Sequence, residues 1–143
     1  MKTITATFFG LLLVCISVTI TGCSAEQSLA NKLEGVWLHE GPAPSLGVDE
    51  EWVLVRQFIA EPKLIISGGG KPGGKVNVGT PRSWMFDSID GVRATITILP
   101  RPDGTGLGRD KLELLNDDKL RIDEIVFTRQ EAGSKYDLYQ KIE

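Results

Sequence analysis

Cysteine is scarce in this chain and is absent after residue 23. The 143 residues include two cysteines, Cys15 and Cys23, and a single histidine, His39. Residues 24–143 therefore offer no thiol for a disulfide, a cysteine-ligated zinc ion or a cysteine nucleophile. A domain built from these residues must be held together by its hydrophobic core alone.

Positive charge is also in short supply. The chain has 16 Lys and Arg residues and 19 Asp and Glu residues, which gives a formal net charge of −3. Lys2 is the only charged residue among the first 22, so without that segment 15 basic side chains face 19 acidic ones, a charge of −4. Nucleic-acid-binding domains usually carry a basic surface. The composition therefore argues against a nucleic-acid partner.

Charge is missing altogether from residues 3–22. This run follows the positively charged Met1-Lys2 and ends in Ile20-Thr21-Gly22-Cys23, where a small residue precedes the cysteine. Its length is close to that of a membrane-spanning helix. However, glycine, serine and threonine interrupt it, and no positive cluster follows it. The pattern is more typical of a cleaved export signal than of a transmembrane anchor.

Ile20-Thr21-Gly22-Cys23 resembles the lipobox of bacterial lipoproteins. The resemblance implies cleavage before Cys23, a diacylglyceryl group on its thiol and acylation of its freed amine. We therefore expect a helical signal peptide over residues 1–22, the lipidated cysteine and a polar tether over 23–32, and one folded domain over 33–143. The expected location is extracytoplasmic, with the lipid in the cell membrane. In a Gram-negative host, a residue other than Asp after the lipidated cysteine, here Ser24, resembles the pattern of lipoproteins sent to the outer membrane. The protein would then face the periplasm.

The folded domain reads as short β-strands between Gly, Pro and Asp turns. Residues 51–59 are apolar on both faces, with Trp52, Leu54 and Phe58 on one side and Val53, Val55 and Ile59 on the other. We predict strands at 51–59, 63–67, 83–86, 93–99, 111–115, 119–122, 125–129 and 136–140, and short helices at 28–33 and 133–137. About eight strands at even spacing predict an all-β antiparallel meander, either a small closed barrel or a sandwich. Closure removes exposed sheet edges and favours the barrel.

The two ends of the domain carry a family resemblance. Leu33-Glu34-Gly35-Val36-Trp37 resembles the L-x-G-x-W opening of lipocalin-like proteins, and Phe127-Thr128-Arg129 is similar to the late segment that partners it. The resemblance implies a small lipocalin-like barrel in which Gly35 permits a tight turn, Trp37 closes the base and Arg129 stacks on the indole. The alternative is that Trp37 is a core aromatic of an unrelated barrel.

Four further aromatic residues have two possible roles. Trp52, Phe58, Trp84 and Phe86 lie in strongly apolar segments. They would line the ligand cavity of a hollow barrel, or fill the core of a solid one. The chain is shorter than a full lipocalin and has long Gly/Pro loops, so a solid barrel is a real alternative.

No group of residues indicates catalysis. Residues 69–75 match the spacing G-x-x-x-x-G-K, but Val76 stands where a phosphate loop needs Ser or Thr, which favours a flexible loop. Asp103 and Asp110 supply too few oxygens for calcium. His39 has no cysteine or second histidine to share a metal ion with. We therefore predict no enzyme activity, no cofactor and no metal site.

Two functions remain open. The first is a binding module for a small apolar ligand inside the barrel. The second is a solid barrel acting as a protein-interaction or envelope-structural module through three Gly/Pro-rich loops, at 41–47, 68–79 and 100–108. An apolar cavity of about 300 Å³ or more would favour a ligand. A filled core would favour the interaction module.

Overall fold

The computed structural model describes residues 25–139, which form a short helix followed by an antiparallel β-barrel. The helix covers residues 25–33. The strands are β1 (Gly35–Ala43), β2 (Val48–Ile59), β3 (Leu64–Gly70), β4 (Asn77–Val78), β5 (Arg82–Asp90), β6 (Arg93–Ile98), β7 (Gly108–Asn116), β8 (Lys119–Ile122) and β9 (Ile125–Gln130). A 3₁₀ turn at Pro44–Leu46 joins β1 to β2.

Eight of these strands close into a barrel. Their order is β2-β1-β9-β8-β7-β6-β5-β3, and an additional pairing of β2 with β3 closes the ring. The short β4 lies outside the ring and pairs with Gly68 and Gly69 of β3. The closed ring confirms the all-β antiparallel barrel and rules out the sandwich.

The strand directions give the barrel two distinct ends. The end that we call the base holds the helix and the tight turns at residues 91–92 and 117–118. The opposite end, the loop end, holds the connections at 44–47, 71–81 and 99–107. All three segments predicted as Gly/Pro loops emerge at the loop end, although residues 41–43 and 68–70 belong to β1 and β3.

The interior of the barrel is the main hydrophobic core. Leu54 and Phe58 of β2 point into it, and Phe58 is 1 % exposed. The helix closes the core at the base, where Leu29, Ala30 and Leu33 are buried among the barrel residues. The predicted helix at 28–33 is therefore confirmed within a longer one. Residues 25–32, expected to be a tether, pack against the barrel because this apolar face of the helix is buried there.

A second core lies on the outer wall of the barrel. Val53 and Val55 of β2 face outward, and Leu138 of the C-terminal segment covers them. We call residues 131–139 the strap. The predicted strand at 136–140 and helix at 133–137 are wrong for the described residues, because the strap consists of turns and bends. The apolar side chains of the strap are buried because they pack on the outer wall, although the strap itself is not a strand of the sheet.

Candidate functional site

The base of the barrel is closed by a stack of an arginine on a tryptophan. Trp37 of β1 is fully buried, and the guanidinium carbon of Arg129, on the neighbouring strand β9, lies 4.1 Å from the centre of its ring system. Register places Trp37 directly opposite Arg129. Such a stack contributes about 0.5–2 kcal/mol. The contact that the family resemblance implies for these two residues is thus present in the structure.

Arg129 also binds three backbone carbonyl groups at the base. Its Nη1 donates to Glu34 O (2.7 Å), its Nη2 to Lys32 O (2.6 Å) and its Nε to Asp117 O (2.7 Å). These carbonyls belong to the end of the helix, the start of the barrel and the β7–β8 turn. One side chain therefore joins three segments that are distant in sequence.

Gly35 and Trp37 complete this closure. Gly35 has φ +135°, and a Cβ atom there would lie 2.7 Å from Arg129 Nη1, so both conformation and space require glycine. The indole Nε1 of Trp37 donates to Leu33 O at 2.8 Å. Each of the four side-chain nitrogens of this cluster donates to a backbone carbonyl of the protein itself, which makes the base a structural element.

Aromatic side chains fill the barrel above the base. The rings of Phe58 and Trp84 meet edge to face with centroids 5.7 Å apart, and Trp84 meets Phe86 in the same way at 4.9 Å. Trp84 is 2 % exposed, and its Nε1 donates to Leu64 O. Trp52 and Phe86 are half-buried against the same core. Three of the four aromatics proposed to contact a ligand therefore contact one another.

Two oppositely charged side chains, Arg56 and Asp110, lie on the inward faces of β2 and β7. Arg56 follows Leu54 on the inward face of β2, and its guanidinium carbon lies 6.0 Å from the centre of the Phe127 ring. Burial lowers the pKa of Arg56, and the nearby Asp110 carboxylate opposes that shift. Burial raises the pKa of Asp110, the Asp123 carboxylate raises it further, and Arg56 lowers it. This pair is not evident from the sequence, although the alternation of β2 already places Arg56 on its inward face.

His39 joins β1 to β9 beyond the point where their backbones pair. Its Nδ1 lies 3.0 Å from Val126 O and its Nε2 lies 3.1 Å from Pro42 O. Its ring also contacts that of Phe127 at a centroid distance of 5.8 Å. These contacts make His39 part of the barrel wall.

The loop end exposes several large apolar side chains. Leu107 is 68 % exposed in the β6–β7 loop, and Leu46 is 53 % exposed in the β1–β2 turn. Val78 of β4 and Leu99, at the end of β6, are also exposed. Other large apolar side chains are exposed away from this end, including Val92 at the base, but all four at the loop end lie within its connections, where contacts with another molecule are commonly made.

Two loop motifs from the sequence have local structural roles. In the loop after β6, Asp103 accepts hydrogen bonds from the backbone and the hydroxyl of Thr105, and the hydroxyl bond is the main cause of its lowered pKa. Residues 69–75 lead into β4 rather than into the helix that a phosphate loop requires. Within residues 25–139, no group of three or more His, Cys, Asp or Glu side chains is arranged to hold a metal ion.

The surface of the described residues includes three depressions that are not lined by any of the four aromatics. One of about 460 Å³ lies over the strands β5–β8 and includes Arg93, Lys111 and Glu113. A second, of about 520 Å³, lies beside Arg129 and the strap. The third, of about 310 Å³, lies between the strap and the loop after β3. The polar and charged groups around them do not form the apolar cavity expected for a hollow barrel.

The predicted lipidation site, Cys23, lies outside the described residues, as does the predicted signal peptide. Only Ser24 separates Cys23 from the described helix. Across residues 25–139, no helix combines the length and the apolar character needed to cross a membrane.

Comparison of the chain with protein-family models, with curated proteins and with solved structures found no match.

Proposed function

We propose that this protein is a lipid-anchored, extracytoplasmic interaction module. In this proposal, Cys23 carries the lipid, the filled barrel is a rigid scaffold, and the loop end contacts a protein of the cell envelope. The observation that carries it is the exposure of two leucines on connections at the end opposite the helix, with Leu107 at 68 % and Leu46 at 53 %. Loops on a rigid scaffold commonly supply such contacts.

The position of the helix supports this orientation. Because the helix at 25–33 closes the base, a lipid on Cys23 would hold the base toward the membrane. The loop end would then face away from the membrane, where a partner can approach it. Stable anchoring needs two or more acyl chains. The lipobox resemblance implies that Cys23 would carry at least two.

The filled interior supports interaction over enclosure of a ligand. Phe58 and Trp84 are 1 % and 2 % exposed and pack on each other above the closed base. A small ligand would have to displace these side chains, which would remove their mutual contacts. A large internal cavity is therefore not part of the proposal.

A small ligand remains the second candidate, on one specific observation. Trp52 is half-buried near the loop end, and Arg56 lies on the same inward face of β2. An apolar molecule carrying a negative charge would suit this pair. Native mass spectrometry of the protein released from detergent tests it. A reproducible extra mass that departs on denaturation supports the ligand, and a bare protein mass after incubation with envelope lipids contradicts it.

Replacing the predicted lipidation site tests the anchor. We expect Cys23→Ala to accumulate as an uncleaved precursor, because neither lipidation nor lipobox cleavage can occur without the thiol. Ser24→Ala is the control and should be processed normally. Cleavage of the Cys23→Ala chain before residue 23 would contradict the lipoprotein assignment, while leaving the barrel and its loop end untouched.

A further inference from the structure

Three lysines surround one pocket on the outer wall of the barrel. Lys71 and Lys75 come from the loop after β3, and Lys135 comes from the strap. The pocket has a volume of about 310 Å³. Its remaining lining residues are small or apolar: Val53, Gly73, Gly74, Val76 and Tyr136. The sequence alone does not bring Lys135 to this loop, because the strap reaches it only by packing on the wall.

The positive charge of this pocket is not balanced by nearby carboxylates. Within residues 25–139, no Asp or Glu oxygen lies within 4.0 Å of the three ammonium groups. Lys135 Nζ lies 4.9 Å from the centre of the Tyr136 ring, a contact that keeps it beside the pocket. Three like charges around one small concavity repel each other, and a bound anion would relieve that repulsion.

Both sides of the pocket are held in place by the fold. On the loop side, Gly74 N donates to Lys71 O at 3.0 Å. On the strap side, Gln57 Oε1 accepts hydrogen bonds from the backbone amides of Leu138 and Tyr139 at 2.7 and 2.9 Å. Gln57 is itself 8 % exposed. The strap is therefore tied to the barrel wall, and the loop that carries Lys71 and Lys75 is a closed turn between the paired strands β3 and β4.

We propose that this pocket binds a phosphate group of a small molecule. Lysine ammonium groups bind phosphate as point charges, and the volume is at the lower end of the range for small-ligand sites. Val76 and Tyr136 offer an apolar surface for the organic part of a phosphate ester. The site is not a magnesium–nucleotide loop, since Val76 takes the place of the hydroxyl residue and a strand follows. This inference goes beyond the proposed function, because it requires neither the anchor nor a partner at the loop end.

The test is a titration of the full chain, in neutral detergent, with inorganic pyrophosphate followed by amide NMR. We expect shifts concentrated at residues 71–76 and 135–136. Lys71→Gln, Lys75→Gln and Lys135→Gln should each weaken binding about tenfold or more, the equivalent of one lost charge-assisted hydrogen bond. Lys32→Gln, at the base, removes the same charge elsewhere and should leave the affinity unchanged.

The outcomes separate a built site from general attraction to positive charge. Shifts spread over all lysines, or an equal loss in Lys32→Gln, would overturn the proposal, as would the absence of localised shifts. The source of the phosphate follows from a second titration with water-soluble dihexanoyl phosphatidic acid. Tighter binding of this lipid than of pyrophosphate, at the same residues, assigns the site to a lipid headgroup. The reverse order assigns it to a free phosphate compound.

Discussion

The two ends of the barrel differ in how their polar and apolar groups are used. At the base, Trp37 is fully buried and Arg129 donates to three carbonyl oxygens. At the loop end, the connections at 44–47 and 99–107 expose Leu46 and Leu107. The contrast indicates that closure of the fold depends on the base, and that the loop end is free to supply contacts with another molecule.

Removing the tryptophan at the base should have the largest effect on the free energy of unfolding. We expect Trp37→Ala to lower the free energy of unfolding by about 3–5 kcal/mol, because it leaves a cavity and removes the surface on which Arg129 stacks. Urea denaturation followed by circular dichroism measures the loss. Leu107→Ala at the loop end is the control and should stay within about 0.5 kcal/mol of the parent. Equal losses in the two variants would contradict the contrast between the ends.

Removing the arginine should have the next largest effect. We expect Arg129→Ala to cost about 2–3 kcal/mol, from the lost stack and the lost hydrogen bonds to carbonyl groups. Arg129→Lys should recover only part of it, because a compact ammonium group lacks the planar fork that reaches the three carbonyls and stacks on the indole. Arg93→Ala, whose side chain is 70 % exposed in a surface ion pair with Glu113, is the matched control and should be nearly neutral. A neutral Arg129→Ala would show that the base closes without it.

Removing the hydrogen bonds between Gln57 and the strap tests whether the strap and the base unfold independently. Gln57 donates to Asp137 and accepts from the amides of Leu138 and Tyr139. We expect Gln57→Ala to cost about 1–2 kcal/mol and to remove hydrogen-exchange protection at those two amides. Protection at Trp37 should remain, since the base makes no use of Gln57. Loss of protection at both places would mean that the strap and the base unfold together.

Replacing the Asp110 carboxylate inside the barrel should have the smallest effect on stability, and the effect should depend on pH. The pKa of Asp110 is raised by burial, so the folded state holds its proton up to a higher pH than the unfolded state does. Asp110 therefore favours folding most at low pH, and this contribution is lost as pH rises from the ordinary value of about 3.9 through the raised value. Asp110→Asn should remove that part of the pH dependence, as measured by thermal unfolding across this range.

Asp103 is a control, because its effect on the pH dependence of stability should be opposite to that of Asp110. Its pKa is lowered by its hydrogen bonds to Thr105, so its contribution is present above the ordinary value and is lost as pH falls through the lowered one. Asp103→Asn should therefore reduce stability at neutral pH relative to acid pH. The same direction of change in both variants would contradict the assigned causes.

The sequence predicts most of the barrel because several strands carry their own alternation of polar and apolar residues, although β1 (Gly35–Ala43) is not among the predicted strands. The predicted segments at 93–99, 111–115, 119–122 and 125–129 all coincide with strands, since their inward and outward residues differ in polarity. The strap was mispredicted for the same reason: its apolar residues resemble a strand, and only tertiary contact decides that they pack on the outer wall. Lys135 and the pair of Arg56 with Asp110 acquire their neighbours through the closed fold, which local patterns do not encode.

The most direct test of the loop end is site-specific photocrosslinking in intact cells of the source organism. A photoreactive phenylalanine derivative replaces Leu46 or Leu107 at the loop end, and Val92, which is 50 % exposed in the β5–β6 turn, serves as the matched position at the base. We expect a discrete protein adduct of one mass from both loop-end positions and none from Val92. Adducts from Val92 alone, or no protein adduct from either leucine, would contradict it.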